Sequence, residues 1–134
     1  MSKDYSGLFP TTSGGKASTA TAATSGKMAG IKVSLSIGTY DTGIKIHKQN
    51  EHIPGTKEFV KGKSEIHLSL TELQNLINLK AGSGTFISGT TKERVDFGKD
   101  IGTWIDGPTG KSYKTTKGFI IYSKTGTHVI PIQP

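Results

Sequence analysis

Cysteine is absent from the sequence, which excludes a disulfide framework, a thiolate zinc site and a cysteine nucleophile. No run approaches the roughly 18 to 20 apolar residues that a membrane-spanning helix needs, and no charged segment followed by an apolar stretch opens the chain. We therefore expect neither a membrane span nor a cleaved secretory signal. Only 32% of the 134 residues are hydrophobic, so the chain has room for one domain with a thin core.

Positive charge and glycine are what the sequence has in excess. Seventeen Lys and Arg residues against ten Asp and Glu residues give a formal net charge of +7, and there are 18 glycines. The glycines indicate many turns. A small basic domain of this kind either binds polyanions or is simply cationic, and composition leaves both interpretations open.

The beginning of the chain differs in composition from the rest. Residues 11–30 are mostly serine, threonine, alanine and glycine, with two lysines. Such a segment buries too little apolar surface to offset its conformational entropy. We expect residues 1–30 to be a disordered, low-complexity leader and residues 31–134 to form the folded domain.

Periodicity and capping residues predict the first elements of that domain. Apolar and polar residues alternate over residues 31–37 and again around residues 44–46, which predicts two short strands. Ser69 and Glu72 have the spacing of a capping box, and Gly82 lies where a left-handed cap would end the helix.

The remaining segments predict strands and turns. We expect strands at residues 95–97, 101–105, 119–122 and 128–132, the last two joined by a glycine turn at residues 124–126. Together these elements predict an α+β fold in which one main helix packs on a small twisted antiparallel sheet, preceded by a flexible N-terminal leader.

Motifs for most catalytic classes are missing. The acidic residues are scattered, and there is no phosphate-binding glycine loop, dinucleotide fingerprint or serine elbow, so we expect no metal and no cofactor. Histidine, lysine and hydroxyl side chains remain. These residue types suit the transesterification of RNA, because the substrate's own 2′-hydroxyl is the nucleophile and the protein supplies only a base, an acid and cations.

The four histidines differ in their surroundings. His67 precedes the predicted helix and His47 faces solvent, so we interpret both as structural or surface residues. His52 lies in a polar loop and His128 near the start of the last predicted strand, each close to lysines. An ordinary hydrogen-bonded or solvated histidine is the alternative interpretation for either one.

Lysines and aromatic residues offer further candidates for substrate binding. Lysines cluster after the polar loop and around the final hairpin, where they would form either a phosphate track or a solvated face. Few aromatic residues could stack on bases, and we expect Trp104 to be in the core between Ile101 and Ile105. The candidates are Lys57, Lys61, Lys63, Lys111, Lys114, Lys117 and Lys124, with Phe59, Tyr113 and Tyr122.

Four ordered segments carry a family resemblance. They are Lys48-Gln49-Asn50-x-His52-Ile53-Pro54-Gly55-Thr56, Thr71-Glu72-Leu73 closing in Ala81-Gly82-x-Gly84, Glu93-Arg94-Val95-Asp96-Phe97-Gly98-Lys99-x-Ile101-Gly102, and Thr116-x-Gly118-x-Ile120-x-Tyr122-Ser123-Lys124-x-Gly126-Thr127-His128-x-x-Pro131. Over about residues 45–134 the chain resembles the polymorphic toxin type 50 (bacterial toxin 50) domain. The resemblance implies a metal-independent ribonuclease of the barnase, colicin and RelE-like superfamily. It also implies neutralisation by a cognate immunity protein.

Carried over by position, the resemblance implies a set of site residues. The catalytic candidates are Lys48, His52, Thr116, Tyr122, Ser123 and His128. Colicin- and RelE-type relatives also rely on lysines and arginines, so Lys61 and Arg94 are candidates for substrate binding, together with Lys117 and Lys124 from the lysine cluster around the final hairpin. Family members often have a histidine before the Tyr-Ser pair, where this chain has Ile121.

The sequence thus leads to a ribonuclease toxin that makes a 2′,3′-cyclic phosphate. His52 would act as the base, and His128 or a lysine as the acid, while Lys48, Lys61, Thr116 and Ser123 hold the phosphate. The domain would be a bacterial effector, secreted or delivered into a target cell's cytoplasm, and a monomer when free. The alternatives are a non-catalytic basic module that binds nucleic acid or a capsid or secretion partner, and a toxin-derived domain that has lost its activity.

Overall fold

The computed structural model describes residues 26–134, so most of the predicted leader lies outside the described residues. The described part contains nine strands and two helices. Their bounds are β1 Lys32–Leu35, β2 Gly38–Asp41, α1 Ile46–Asn50, β3 Glu65–Ile66, α2 Leu70–Lys80, β4 Thr85–Phe86, β5 Lys92–Asp96, β6 Gly102–Ile105, β7 Ser112–Thr115, β8 Lys117–Ile121 and β9 His128–Pro131.

The strands form three small antiparallel sheets. The largest has the order β9-β8-β5-β4, the second has the order β3-β6-β7, and β1 pairs with β2 alone. The expectation of one main helix packed on one small sheet is therefore wrong. Alternation shows that a segment is extended, but it does not show which strands pair, and turns divide these strands among separate sheets.

The region around α1 also differs from its prediction. Ile44 is extended and forms a parallel bridge with Thr127, but from Ile46 the chain is helical rather than a continuing strand. Two alternating apolar residues fit the start of a short helix as well as a strand, so periodicity could not separate the two.

The helix predicted from Ser69 is confirmed as α2. Ser69 Oγ accepts the backbone N–H of Glu72, the Glu72 side chain accepts the backbone N–H of Ser69, and Gly82 has φ +88° just beyond the end. The predicted hairpin between the last two strands is confirmed as β8–β9, with Gly126 at φ +136° in its turn.

One buried cluster holds these elements together. It combines the inner faces of α2, β3, β5, β8 and β9 with residues from the connecting segments: Met28, Ile44, Ile66, Leu73, Ile77, Val95, Phe97, Ile101, Ile120, Tyr122 and Val129. Met28 is part of this core, so the packed region includes residues before the predicted boundary at residue 31.

Candidate functional site

Two histidines that are 76 positions apart in the sequence face each other in the fold. His52 lies just after α1 and His128 is the first residue of β9. Their ring centroids are 6.4 Å apart with an interplanar angle of 21°, and the two residues are only 5% and 9% exposed. The fold therefore produces a buried, stacked pair of imidazoles from the two histidines that the sequence singled out.

A buried glutamine on α1 ties that helix to the strand that carries His128. The Gln49 side chain donates to the Val129 carbonyl at 2.9 Å and accepts the Val129 N–H at 2.7 Å. This amide replaces a neighbouring strand on the backbone of β9, because it satisfies both polar groups of one residue. Since Gln49 is completely buried and Val129 follows His128, the clamp locks α1 against the histidine on β9.

His52 is oriented by a backbone carbonyl. Its Nδ1 lies 2.8 Å from the Ser64 oxygen, and a carbonyl can only accept, so Nδ1 carries a proton in either charge state. Nε2 is then the atom that gains or loses a proton. Burial lowers the pKa of His52 below its usual 6.5, while the Ser64 carbonyl acts in the opposite direction by favouring the charged ring.

His128 has no such support. Within residues 26–134 neither ring nitrogen of His128 has a hydrogen-bond partner. Burial, followed by the nearby charges of His52 and Lys48, lowers the pKa of His128 to about 4. When the two rings together carry one positive charge, it therefore rests mainly on His52, and His128 stays neutral with a free lone pair.

Lysines and one glutamate surround the pair. Glu51 accepts Lys63 Nζ at 3.2 Å, and Lys48 Nζ lies 3.6 Å from its other oxygen. The hydrogen bond from Lys63 is the main reason that the pKa of Glu51 is lowered. Lys48 and Lys63 also act electrostatically on His52. The carboxylate thus holds two cations beside the imidazoles.

A comparison with protein families gives the site its context. The family model described as bacterial toxin 50 matches residues 44–131, which is about two thirds of the chain. The chain belongs to the bacterial toxin 50 family. The match runs from just before α1 to the last residue of β9, so it covers every element that builds the histidine pair in this toxin 50 domain. A comparison with curated proteins finds no match.

In the toxin 50 domain, three of the predicted catalytic hydroxyls are engaged in hydrogen bonds with groups other than the histidines. Tyr122 is buried and donates to Glu93 Oε1 at 2.6 Å, and burial raises its pKa. Ser123 Oγ donates to the Gly126 carbonyl and stabilises the β8–β9 turn. Thr116 precedes β8 and hydrogen-bonds to Asp96. It therefore lies at the other end of β8 from Ile121, the residue that pairs with His128.

Two of the predicted substrate-binding residues share a sheet face with His128. The register runs from His128 to Ile121 and then to Lys92 across β9, β8 and β5. Because side chains alternate along a strand, Arg94 and Lys117 lie on that same face of the toxin 50 domain. Arg94 is exposed. Lys117 is about 13 Å along β8 from Ile121.

Lys61 and Lys124 lie elsewhere. Lys61 is exposed in the loop before β3, two residues from Lys63. Lys124 lies in the β8–β9 turn, where its Nζ is 5.1 Å from the Tyr40 ring centroid. In the described part of the chain, no hydrogen bond joins either lysine to an imidazole.

Sequence reasoning missed the residues that organise this site. Gln49, Glu51 and Ser64 were not among its candidates, and Lys63 was recognised only as a member of a lysine cluster. Gln49 was present in the family motif, but its partner is 80 positions away, so local patterns gave no signal for the clamp. The departure at Ile121 falls at the site too, because Ile121 is the strand partner of His128.

Two further observations concern ligands and membranes. Among residues 26–134, no three histidine, aspartate or glutamate side chains converge as they would around a metal ion. No helix in the described part of this toxin 50 domain has the length and hydropathy needed to cross a membrane.

Proposed function

We propose that this toxin 50 domain is an endoribonuclease that cleaves RNA without a metal ion. The observation that carries the proposal is the buried pair of imidazoles with Lys48 and Lys63 nearby, which combines proton carriers with cations for a phosphate. A protein that activates the substrate's own 2′-hydroxyl needs only these groups.

The different surroundings of the two rings favour an assignment of roles. His128 takes the proton from the 2′-hydroxyl, and the 2′-oxygen forms a bond to phosphorus. His52 gives its Nε2 proton to the departing 5′-oxygen as the phosphorus–oxygen bond breaks. The products are a 2′,3′-cyclic phosphate and a free 5′-hydroxyl. This order is the reverse of the one expected from sequence, because His52 has a carbonyl that stabilises its charged form and His128 has none.

The lysines and Arg94 would bind the phosphates of the RNA. Lys48 and Lys63 are close enough to the histidines to change their pKa values, so they can also stabilise charge that develops on the phosphate oxygens. Lys92, Arg94 and Lys117 share the sheet face of His128 and would hold the RNA backbone beyond the cleaved bond.

The toxin role implies a producing cell that must survive its own effector. We therefore propose a cognate immunity protein whose acidic surface covers the histidine pair and its lysines, as the net charge of +7 favours. The effector would be secreted or delivered by a bacterium and would act as a monomer in the cytoplasm of the target cell.

The test is incubation of the purified full chain with total RNA in EDTA, followed by analysis of the product ends. Cleavage with cyclic phosphate ends is the expected result. The variant with both His52→Ala and His128→Ala should cleave at least about 10²-fold more slowly, because removing even one acid–base group typically costs about 10²- to 10⁴-fold in rate. A matched control carries His47→Ala and His67→Ala, since both side chains are exposed and pair with glutamates.

The same assay separates the alternatives. Unchanged cleavage by the His52 and His128 variant would refute the assignment. Salt-sensitive retardation of RNA without strand scission would instead favour a non-catalytic binding module.

A further inference from the structure

An open groove of about 420 Å³ lies at the outer end of the β3-β6-β7 sheet. Side chains from β6, β7, the turn between them and the last residues of the chain line it. They are Trp104, Asp106, Tyr113, Gln133 and Pro134. None of these residues takes part in the histidine site.

An aromatic pair forms one wall of the groove. Trp104 was expected in the core, but it is only half-buried and stacks on Tyr113 with ring centroids 5.8 Å apart at 30°. The two residues are direct strand partners on β6 and β7, so their rings lie on the same sheet face. Tyr113 is 44% exposed, which leaves aromatic surface accessible from solvent.

The polar groups around the aromatic pair suit a base and its phosphate. Asp106 accepts Thr109 Oγ1 through one carboxylate oxygen, and a carboxylate has further acceptor capacity for an exocyclic amine of a base. Lys111 just precedes the edge strand β7 and Lys114 follows Tyr113 on it, facing the other side of the sheet; both are exposed. Within residues 26–134 neither ammonium group pairs with a carboxylate.

Ser64 connects the groove to the histidine site. Ile105, next to Trp104, donates its N–H to Ser64 Oγ at 3.4 Å, and the Ser64 carbonyl accepts the Nδ1 proton of His52. One residue thus contacts both the strand that carries the aromatic wall and the proposed acid.

We propose that this groove binds a nucleobase of single-stranded RNA by stacking it on the Trp104–Tyr113 pair. The inference rests on the proposed ribonuclease function and adds a substrate subsite to it. Aromatic stacking beside lysines is the chemistry by which proteins hold unpaired bases, whereas a duplex keeps its bases stacked inside. The substrate is therefore RNA with an unpaired segment.

Trp104 is the only tryptophan in the sequence, so its emission reports on the groove directly. The probe is a short single-stranded oligodeoxynucleotide, which lacks the 2′-hydroxyl and cannot undergo the proposed reaction. Added to the full chain, it should quench Trp104 emission saturably. Tyr113→Phe should bind equally well, and Tyr113→Leu should bind about tenfold or more weakly, because stacking contributes that much per base. Leu79→Ala, which alters an exposed apolar residue on α2, is the control.

A second variant keeps the test valid if Tyr113→Leu does not fold. Asp106→Asn retains an acceptor for Thr109 but loses the charged one, so it should weaken oligo-dC binding relative to oligo-dT. The proposal would be overturned if the oligonucleotide did not quench Trp104 emission, or if Tyr113→Leu bound it as well as the parent does. It would also be overturned if a proline-rich peptide quenched the emission and the oligonucleotide did not. Intact quenching by a chain that does not cut RNA supports the subsite and refutes only the ribonuclease.

Discussion

Replacing His128 with glutamine is expected to remove much of the acid sensitivity of the folded state. The pKa of His128 is about 4 in the fold, against an ordinary value of 6.5 that the unfolded chain should have. Between these two pH values His128 is protonated in the unfolded chain but neutral in the folded chain. The free energy of unfolding therefore falls as the pH drops from 6.5 towards 4, and below that pH this contribution does not fall further.

The magnitude follows from the gap between the two pKa values. At about 1.4 kcal/mol for each pH unit, the full window corresponds to about 3 kcal/mol, and the part from pH 6.5 to pH 5 to about 2 kcal/mol. His128 is almost fully buried, so solvent screening reduces this value little. A loss of this size is a large fraction of the stability of a small domain.

The assay is urea unfolding at pH 7.5, 6 and 5, followed by Trp104 emission and circular dichroism. The parent chain should lose about 2 kcal/mol more than His128→Gln between the highest and lowest pH. His47→Gln is the control, because it removes an exposed histidine and keeps the buried ring of His128, so it should retain the loss of stability that His128 causes. Equal losses in His128→Gln and the parent would show that the ring is not held neutral, and the assignment of His128 as the base would lose its physical support.

Three further predictions concern the clamp, the tyrosine and the reaction. Gln49→Ala should destabilise the fold by about 2 to 4 kcal/mol in urea unfolding and should also reduce the cleavage rate. Gln74→Ala, which removes a similar clamp on α2, is the control: it should cost about the same stability but reduce the rate per folded molecule less. Tyr122→Phe should lower stability by about 1 to 3 kcal/mol, while a rate loss of about 10²-fold in that variant would restore a catalytic role. A pH profile of kcat/KM should peak between pH 4 and 6.5, where the pair of His52 and His128 carries one proton, and a maximum above pH 8 would contradict this.

The elements that were predicted correctly depend on contacts close in sequence. The capping box of Ser69 and Glu72 spans three positions, and the β8–β9 hairpin depends on one glycine turn. Both signals come from residues close in sequence, so they can be recognised without knowing how the rest of the chain folds. The division into three sheets depends on pairings such as Glu65 with Thr103, which no local pattern records.

The candidate site could be predicted by residue type but not by role. Two histidines near lysines were visible in the sequence, and the fold brings them together. Their difference in pKa was not visible, because it comes from burial and from a carbonyl at Ser64, twelve positions after His52. The hydroxyl of Tyr122 was a reasonable candidate until the fold placed the buried carboxylate of Glu93 beside it.

Two buried glutamines explain how a chain with so few hydrophobic residues still holds a defined site. Gln49 binds both backbone groups of Val129, and Gln74 accepts the Ile44 N–H and donates to the Thr42 carbonyl. Each amide supplies the hydrogen bonds of an absent neighbouring strand, so it fixes its helix at one register on the chain that it clamps. A hydrophobic side chain of the same size would fill the space but would leave two buried backbone groups unpaired, and it would allow α1 to slide along β9. Because the distance between the imidazoles depends on that register, the Gln49 amide couples the stability of this toxin domain to the geometry of its proposed reaction.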